Sequence, residues 1–223
     1  ELRDRIFFTF VILVVFRLGC VLTIPGINAQ VLVTYFEDLA KHNKNAFASY
    51  MDFFAGGAFS NFSVFMLGVM PYISTQIILQ LALIIFPSLK RIAQEDGGQR
   101  KVAAWTRIGT VFVCLIQSLA VTGYAHSIPG AVILANPIAF RLLAMLTVTT
   151  GAMITVWLGD QITAHGIGNG ISILIFAGIV ARLPHAVVEL VEKVKNPNDN
   201  DINPVFLIVA LLMFIAVIAL VVY

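Results

Sequence analysis

Six stretches of this chain are each apolar over close to the length a helix needs to cross a lipid bilayer, and nothing else in the sequence limits its fold as strongly. A helix rises ~1.5 Å per residue, so about 20 apolar residues cover a ~30 Å hydrocarbon core. The stretches are Ile6 to Ile24, Phe62 to Phe86, Trp105 to Ala125, Phe140 to Leu158, Gly170 to Leu183 and Val205 to Tyr223, the fifth being short. Lipid offers no partner to an open backbone, so each is predicted to be helical. Only 12% of the 223 residues are charged, about half of what a soluble domain carries. The expected fold class is therefore all-α: a polytopic membrane helix bundle of about six transmembrane helices.

The hydrophilic stretches between these runs set an orientation. Lys90, Arg91, Arg100, Lys101 and Arg107 crowd one short connection, and Arg3 and Arg5 precede the first run on that same side. Lys41, Lys44, Arg141, Arg182, Lys193 and Lys195 fall on the other. The concentration of the first group near helix ends places that side, and the N-terminus, in the cytoplasm. The first run is too long for a signal-peptide core and no small-residue cleavage site follows it, so it reads as a retained helix. A net charge of +2 gives no polyanion-binding face, and direct nucleic-acid binding is not expected. Cys20 and Cys114 each stand alone in an apolar run, without the spacing of a disulfide framework or a zinc site, and no metal or cofactor is expected. "HAVVELVEKVK", His185 to Lys195, spaces its valines and leucine along one face and pairs Glu189 with Lys193, as a short helix at the membrane interface would.

The most unusual string is "GDQITAHGIGNGISILIF", Gly159 to Phe176, with Gly166, Gly168 and Gly170 between two apolar runs. A phosphate loop needs lysine and a hydroxyl residue after its last glycine, whereas Ile171 and Ser172 follow here. The string also lacks the G-x-G-x-x-G of a dinucleotide site. A tight helix-to-helix turn fits better: Gly166 ends one helix at positive φ, and Asn169 caps the next.

"WLGDQITAHGIGNGISILIFAGIVARLP" closely resembles the most characteristic stretch of SecY, the central subunit of the bacterial protein-translocation channel. "FFAGGAFSNFSVFMLGVMPYISTQIILQL", "FRLGCVLTIPGI" and "TRIGTVFVCLIQS" resemble its plug and second helix, first helix and third helix. One departure stands out: many relatives carry an acidic and a basic residue before the glycine string, where this chain has Ala164 and His165. That puts in doubt any partner contact made through the basic residue; His165 itself reads as a solvated loop histidine or a pH-sensitive group.

The resemblance implies an inverted-repeat channel of which this chain holds the first half plus one helix. Residues 1–183 are then the five-helix half with a short plug helix at about 50–68, residues 184–204 an external amphipathic helix and loop linking the halves, and residues 205–223 the sixth helix. It implies a pore for unfolded secretory proteins, sealed by a hydrophobic ring at Ile73, Ile77, Ile171 and Ile175 and by a plug containing Asp52, Phe53, Phe54, Gly56, Gly57, Phe59, Ser60 and Asn61. By spacing alone, the isoleucines read as ordinary core or lipid-facing residues, and it is the resemblance that assigns them to the ring. Tyr50 to Gly68 is too polar and glycine-rich for a span through lipid, and on that ground alone needs a surface or a protein-lined cavity. Gln117 matches the lateral-gate position of the third helix, or simply hydrogen-bonds a neighbouring helix. Lys90, Arg91, Arg100, Lys101, Gly166, Gly168, Asn169 and Gly170 would face the motor SecA or the ribosome. SecE and SecG subunits, secretory polypeptides with signal sequences and the lipid of the bacterial inner membrane are the other implied partners.

Arg17 stands inside the first apolar run, where an unpaired charge costs ~3 kcal/mol or more, so it must face protein or water or snorkel to an interface. With no catalytic constellation in the sequence, no enzyme activity is expected. The rival reading is a small-solute secondary transporter of inverted-repeat type, which needs ionisable groups converging at mid-membrane. Arg17 and few others qualify.

Overall fold

The computed structural model describes residues 2–41, 56–134, 136–195 and 204–222. Its elements are α1 (Leu2–Val21), α2 (Ala29–Lys41), α3 (Met70–Ile85), α4 (Pro87–Gln94), α5 (Gly98–Ser127), α6 (Pro137–His165), α7 (Gly170–Lys195) and α8 (Pro204–Val222). Among the described residues the only extended pairings are two isolated bridges, Thr23 with Ser63 and Ile27 with Val132. The chain divides into two compact units, Glu1–Ile179 and Val180–Tyr223.

α5 and α6 are long and apolar enough to cross a membrane, and the α3–α4 pair, bent by 106°, makes a third span if counted as one. The apolar part of α7, Gly170–Pro184, is shorter. α1 has an apolar centre but also carries Arg3, Asp4, Arg5 and Arg17.

Local chemistry sets most helix ends. The Asn136 side chain accepts from Ile138 N at 3.1 Å and caps α6, whose first residue is Pro137. Gly97, at φ 81, turns the chain into α5. Asn28 caps α2 by accepting from Gln30 N at 3.2 Å.

Four boundaries differ from the sequence expectation. The second span begins at Met70, not Phe62, because residues 56–69 are turns and the apolar side chains there are used for packing. The connection bearing Lys90 and Arg91 is not all loop: α4 occupies Pro87–Gln94, starting from an extended Phe86 with proline in its first turn. Where 184 was to begin a separate external helix, α7 continues through Pro184 to Lys195. A proline inside a helix removes one backbone bond and can kink the helix without ending it. α2 was not foreseen, since its pattern is amphipathic and not wholly apolar.

Within the first unit, α5 lies against α3 and α6. Its buried face is Thr106, Thr110, Cys114, Ser118 and Thr122, one small residue every four. Small side chains let membrane helices approach closely. The hydroxyls return to their own helix: Thr110 Oγ1 donates to Thr106 O at 2.7 Å, and on α3 Thr75 Oγ1 donates to Pro71 O at 2.8 Å. These hydroxyls thus stay satisfied without a partner from another helix.

Two apolar clusters form the core of this unit. One joins Ile24, Leu32, Phe62, Met66, Cys114, Phe140, Ala144 and Val148. The other joins Ile12, Phe16, Cys20, Ala58, Phe65, Val69, Leu158, Ile162 and Leu174. Residues 58–69 contribute to both, so this run of turns is the seam between them.

Candidate functional site

Residues 56–69 are held as consecutive turns. Backbone bonds close from Phe62 N to Phe59 O at 3.0 Å, from Met66 N to Ser63 O at 3.0 Å and from Gly68 N to Phe65 O at 2.8 Å. Ser63 N donates to Ala58 O at 2.9 Å. Phe62 is fully buried at φ 42, a backbone region that bulky residues avoid, so its conformation is imposed by the cluster around its ring.

The segment touches the rest of the unit along a short edge. Ile24 N donates to Phe62 O at 3.0 Å and Val64 N donates to Leu22 O at 2.8 Å, framing the Thr23–Ser63 bridge. Elsewhere the neighbouring helices make room for it with glycine. A side chain on Gly19 of α1 would strike the Phe65 ring, and one on Gly151 of α6 would strike the Val64 carbonyl. A Cβ on Gly56, at φ +63, would stand 2.9 Å from Gly178 Cα on α7. The niche is therefore cut from three helices that are far apart in sequence. Gly19, Gly151 and Gly178 were not singled out from sequence; the available signal was a glycine inside an apolar run with no turn around it.

Arg17, left without a partner by the sequence, donates from Nη1 to Gly56 O at 2.6 Å. Phe16 stacks on Phe65 with ring centroids 5.9 Å apart. Of the residues expected in a plug, Gly56, Gly57, Phe59, Ser60 and Asn61 fall in this run of turns, while Asp52, Phe53 and Phe54 lie outside the described residues.

Ile73 of α3 and Ile171 and Ile175 of α7 all pack, partly buried, against the cluster that holds Ala58, Phe65 and Val69. Ile77, one turn beyond Ile73, is 51% exposed. The structure thus brings three of the four isoleucines to the apolar cluster that the turn segment also enters, and leaves the fourth on the surface of this chain.

The glycine string is a tight turn from α6 to α7, and each glycine has its own reason. Gly168 is the residue at positive φ (63). Gly166 is not: its φ is −97, and it is buried where a Cβ would meet Thr9 Oγ1 and the Ile162 carbonyl, so it is needed for close approach. Gly170 packs on the Gly159 carbonyl of α6. Asn169 Oδ1 accepts from Ser172 N at 3.2 Å and caps α7. Thr9 Oγ1 accepts from Ile167 N at 3.3 Å, so the turn sits at the end of the unit where α1 begins. Asn169→Ala is expected to lower stability by about 1 kcal/mol, and Gly166→Val by more, about 1–3 kcal/mol from overpacking. Thermal unfolding of the detergent-solubilised full-length protein checks this; equal effects would contradict the packing role of Gly166.

Lys90, Arg91, Arg100 and Lys101 are exposed. Lys101 Nζ lies 3.7 Å from Glu95 Oε2, too exposed a pair to add much stability. Arg107 pairs with Asp160 at 2.8 Å and ties α5 to α6. Gln117 is half-buried on α5, His165 is exposed with its ring edge-on to Phe8, and Gly168 and Asn169 are exposed while Gly170 is buried.

A family model described as SecY matches residues 63–223. The protein translocase subunit SecY of Borreliella burgdorferi is 45% identical over 208 residues, covering 93% of this chain and 47% of the relative. Its counterpart in Escherichia coli strain K12 is 41% identical, covering 96% and 48%, and that in Pseudomonas aeruginosa 41%, covering 100% and 49%. The chain spans about half the length of these relatives. Among solved structures it resembles Sec61 in a canine ribosome-channel complex from the endoplasmic reticulum, with a TM-score of 0.60 at 17% identity, covering 97% of this chain and 47% of that one. It also resembles a structure described as a protein conducting channel, with a TM-score of 0.59 at 18% identity and the same coverages. At such identities the likeness is one of fold.

Proposed function

The chain belongs to the SecY family, and from that premise we propose that it forms one half of a protein-conducting channel in the bacterial inner membrane, with residues 56–69 as part of a displaceable seal. The observation that carries this is the turn segment itself. It is a run of turns that is neither a membrane-spanning helix nor part of a sheet, packed into both apolar clusters, tied by the two backbone bonds at Leu22–Ile24 and seated in a glycine-lined niche. Irregular backbone at membrane depth is tolerated only where protein or a water-filled cavity covers it. Its displacement gives up the packing of its apolar side chains in both clusters and these backbone bonds, but leaves every spanning helix intact.

Ile73, Ile77, Ile171 and Ile175 are the ring in this reading. Branched aliphatic side chains around a narrow opening expel water and so block ions without blocking an extended polypeptide. The exposure of Ile77 suits a residue with one face toward an opening. Gln117 lies in the lateral gate through which signal sequences reach lipid. The positive charges of α4 and the start of α5, with the 166–170 turn, face the cytoplasm and meet SecA or the ribosome, while SecE and SecG complete the complex. The chain does no catalysis of its own, and the energy comes from a partner or a gradient.

The full-length protein, reconstituted with its partner subunits and motor, tests the reading. Protease-protected uptake of an unfolded, signal-bearing polypeptide is expected. Saturable small-solute uptake without polypeptide import would favour the transporter instead.

A further inference from the structure

We propose that Arg17 is a positioning residue: a latch on α1 that holds the upstream end of the 56–69 segment in its closed seat through the Gly56 carbonyl. This deepens the seal reading above and rests on it.

An arginine within an apolar helix, here about one turn before the end of α1 at Val21, is unfavourable in lipid and takes a polar partner, water or a path to the interface. Here the partner is a main-chain carbonyl, Gly56 O, 2.6 Å from Nη1 and 39 residues further along the chain. That carbonyl has a fixed direction. Gly56 sits at φ +63, which glycine alone adopts freely, and its Cα backs onto Gly178 of α7 so closely that no side chain fits between them. Residue 56 is thus gripped from two helices, by a charged donor on one side and by backbone contact on the other. The downstream part of the segment has different ties, the bonds of Phe62 and Val64 to the Leu22–Ile24 edge. Arg17 and that edge both belong to the α1 end of the unit, so α1 and the residues just after it hold the segment at two points.

The chemistry of the bond suits a latch. A guanidinium bound to a neutral carbonyl makes a stronger bond than two neutral groups, yet lacks the opposite charge of a buried ion pair, whose rupture would strand a carboxylate. Arg17 is exposed in this chain, and any extended polypeptide entering the opening offers carbonyls of the same kind, so the donor can be handed from Gly56 to the incoming chain.

The position of the segment is read by labelling and its sealing by conductance, which keeps the two claims separate. The full-length complex carries Ser63→Cys, at a site fully buried in the closed seat, on a background in which Cys20, Cys114 and every other cysteine of the complex are replaced by alanine. Arg17→Ala is expected to raise the rate of modification at position 63 by a membrane-impermeant maleimide about tenfold, the order expected for loss of one charged hydrogen bond. Arg17→Lys, which keeps a cationic donor, is expected to restore most of the protection; a general loss of packing would not be rescued in this way. Unchanged labelling in Arg17→Ala overturns the latch, whatever the conductance. Unrescued labelling in Arg17→Lys overturns it too, by showing that packing and not the donor holds the segment. Faster labelling with rescue supports the latch; if resting ion conductance in planar bilayers stays flat in the same Arg17→Ala protein and on deletion of residues 52–63, it is the seal reading that fails.

Discussion

Full-length channel in which Ile73, Ile77, Ile171 and Ile175 are all replaced by serine is expected to leak ions at rest by at least an order of magnitude more than the parent. Each serine removes a branched side chain and supplies a hydroxyl that binds water, so a constriction that stays dry with isoleucine becomes wet. Three of the four positions pack against the cluster that also holds Phe65 and Val69, so the change also loosens the seat of the turn segment. Replacement by leucine, which keeps apolar volume, is expected to preserve most of the seal. Single-channel recordings in planar bilayers read both. A serine variant as tight as the parent would show that these side chains do not line the conducting path.

The membrane-scale features of this chain were legible because lipid imposes them. A long apolar run has few alternatives to a helix, which is why the helical cores at Trp105–Ala125 and Phe140–Leu158 lie inside α5 and α6. The misplacements share a cause: apolarity does not say what it is used for. Phe62, Phe65, Met66 and Leu67 resemble the start of a span but are packing groups on a run of turns, whereas Pro71 does suit the start of the helix that follows, and that helix begins at Met70. α2 and α4 were missed for the opposite reason, since half of each is polar and no bilayer-length run announces them.

The site was legible only in part. Asn169 as a helix cap follows from residue type and position, and the structure bears it out. Positive φ was assigned to Gly166 when it belongs to Gly168, because a glycine can be required for close approach as easily as for backbone angle. The partner of Arg17 was beyond reach, since a carbonyl 39 residues away leaves no mark in composition or spacing. The glycines that carve the niche lie on α1, α6 and α7, and only the fold makes them neighbours.

Movement of the turn segment is the central claim, and a reversible cross-link tests it most directly. Thr23 and Ser63 face each other between the bonds Ile24 N to Phe62 O and Val64 N to Leu22 O, which makes them a non-hydrogen-bonded antiparallel pair. Cα atoms in such pairs lie about 4.5 Å apart, inside the span that a disulfide bridges without moving the backbone. Ser63 Oγ is buried and makes no hydrogen bond, so its replacement by cysteine sacrifices no polar contact. With Thr23→Cys and Ser63→Cys introduced on a background from which all other cysteines are removed, Cys20 and Cys114 included, oxidation pins the segment to the residues that follow α1. Import of a signal-bearing polypeptide into proteoliposomes is expected to fall to background when the disulfide forms and to return when it is reduced. Import at the parental rate through channels in which the disulfide is quantitatively formed would contradict the account, because the segment would then have no need to move.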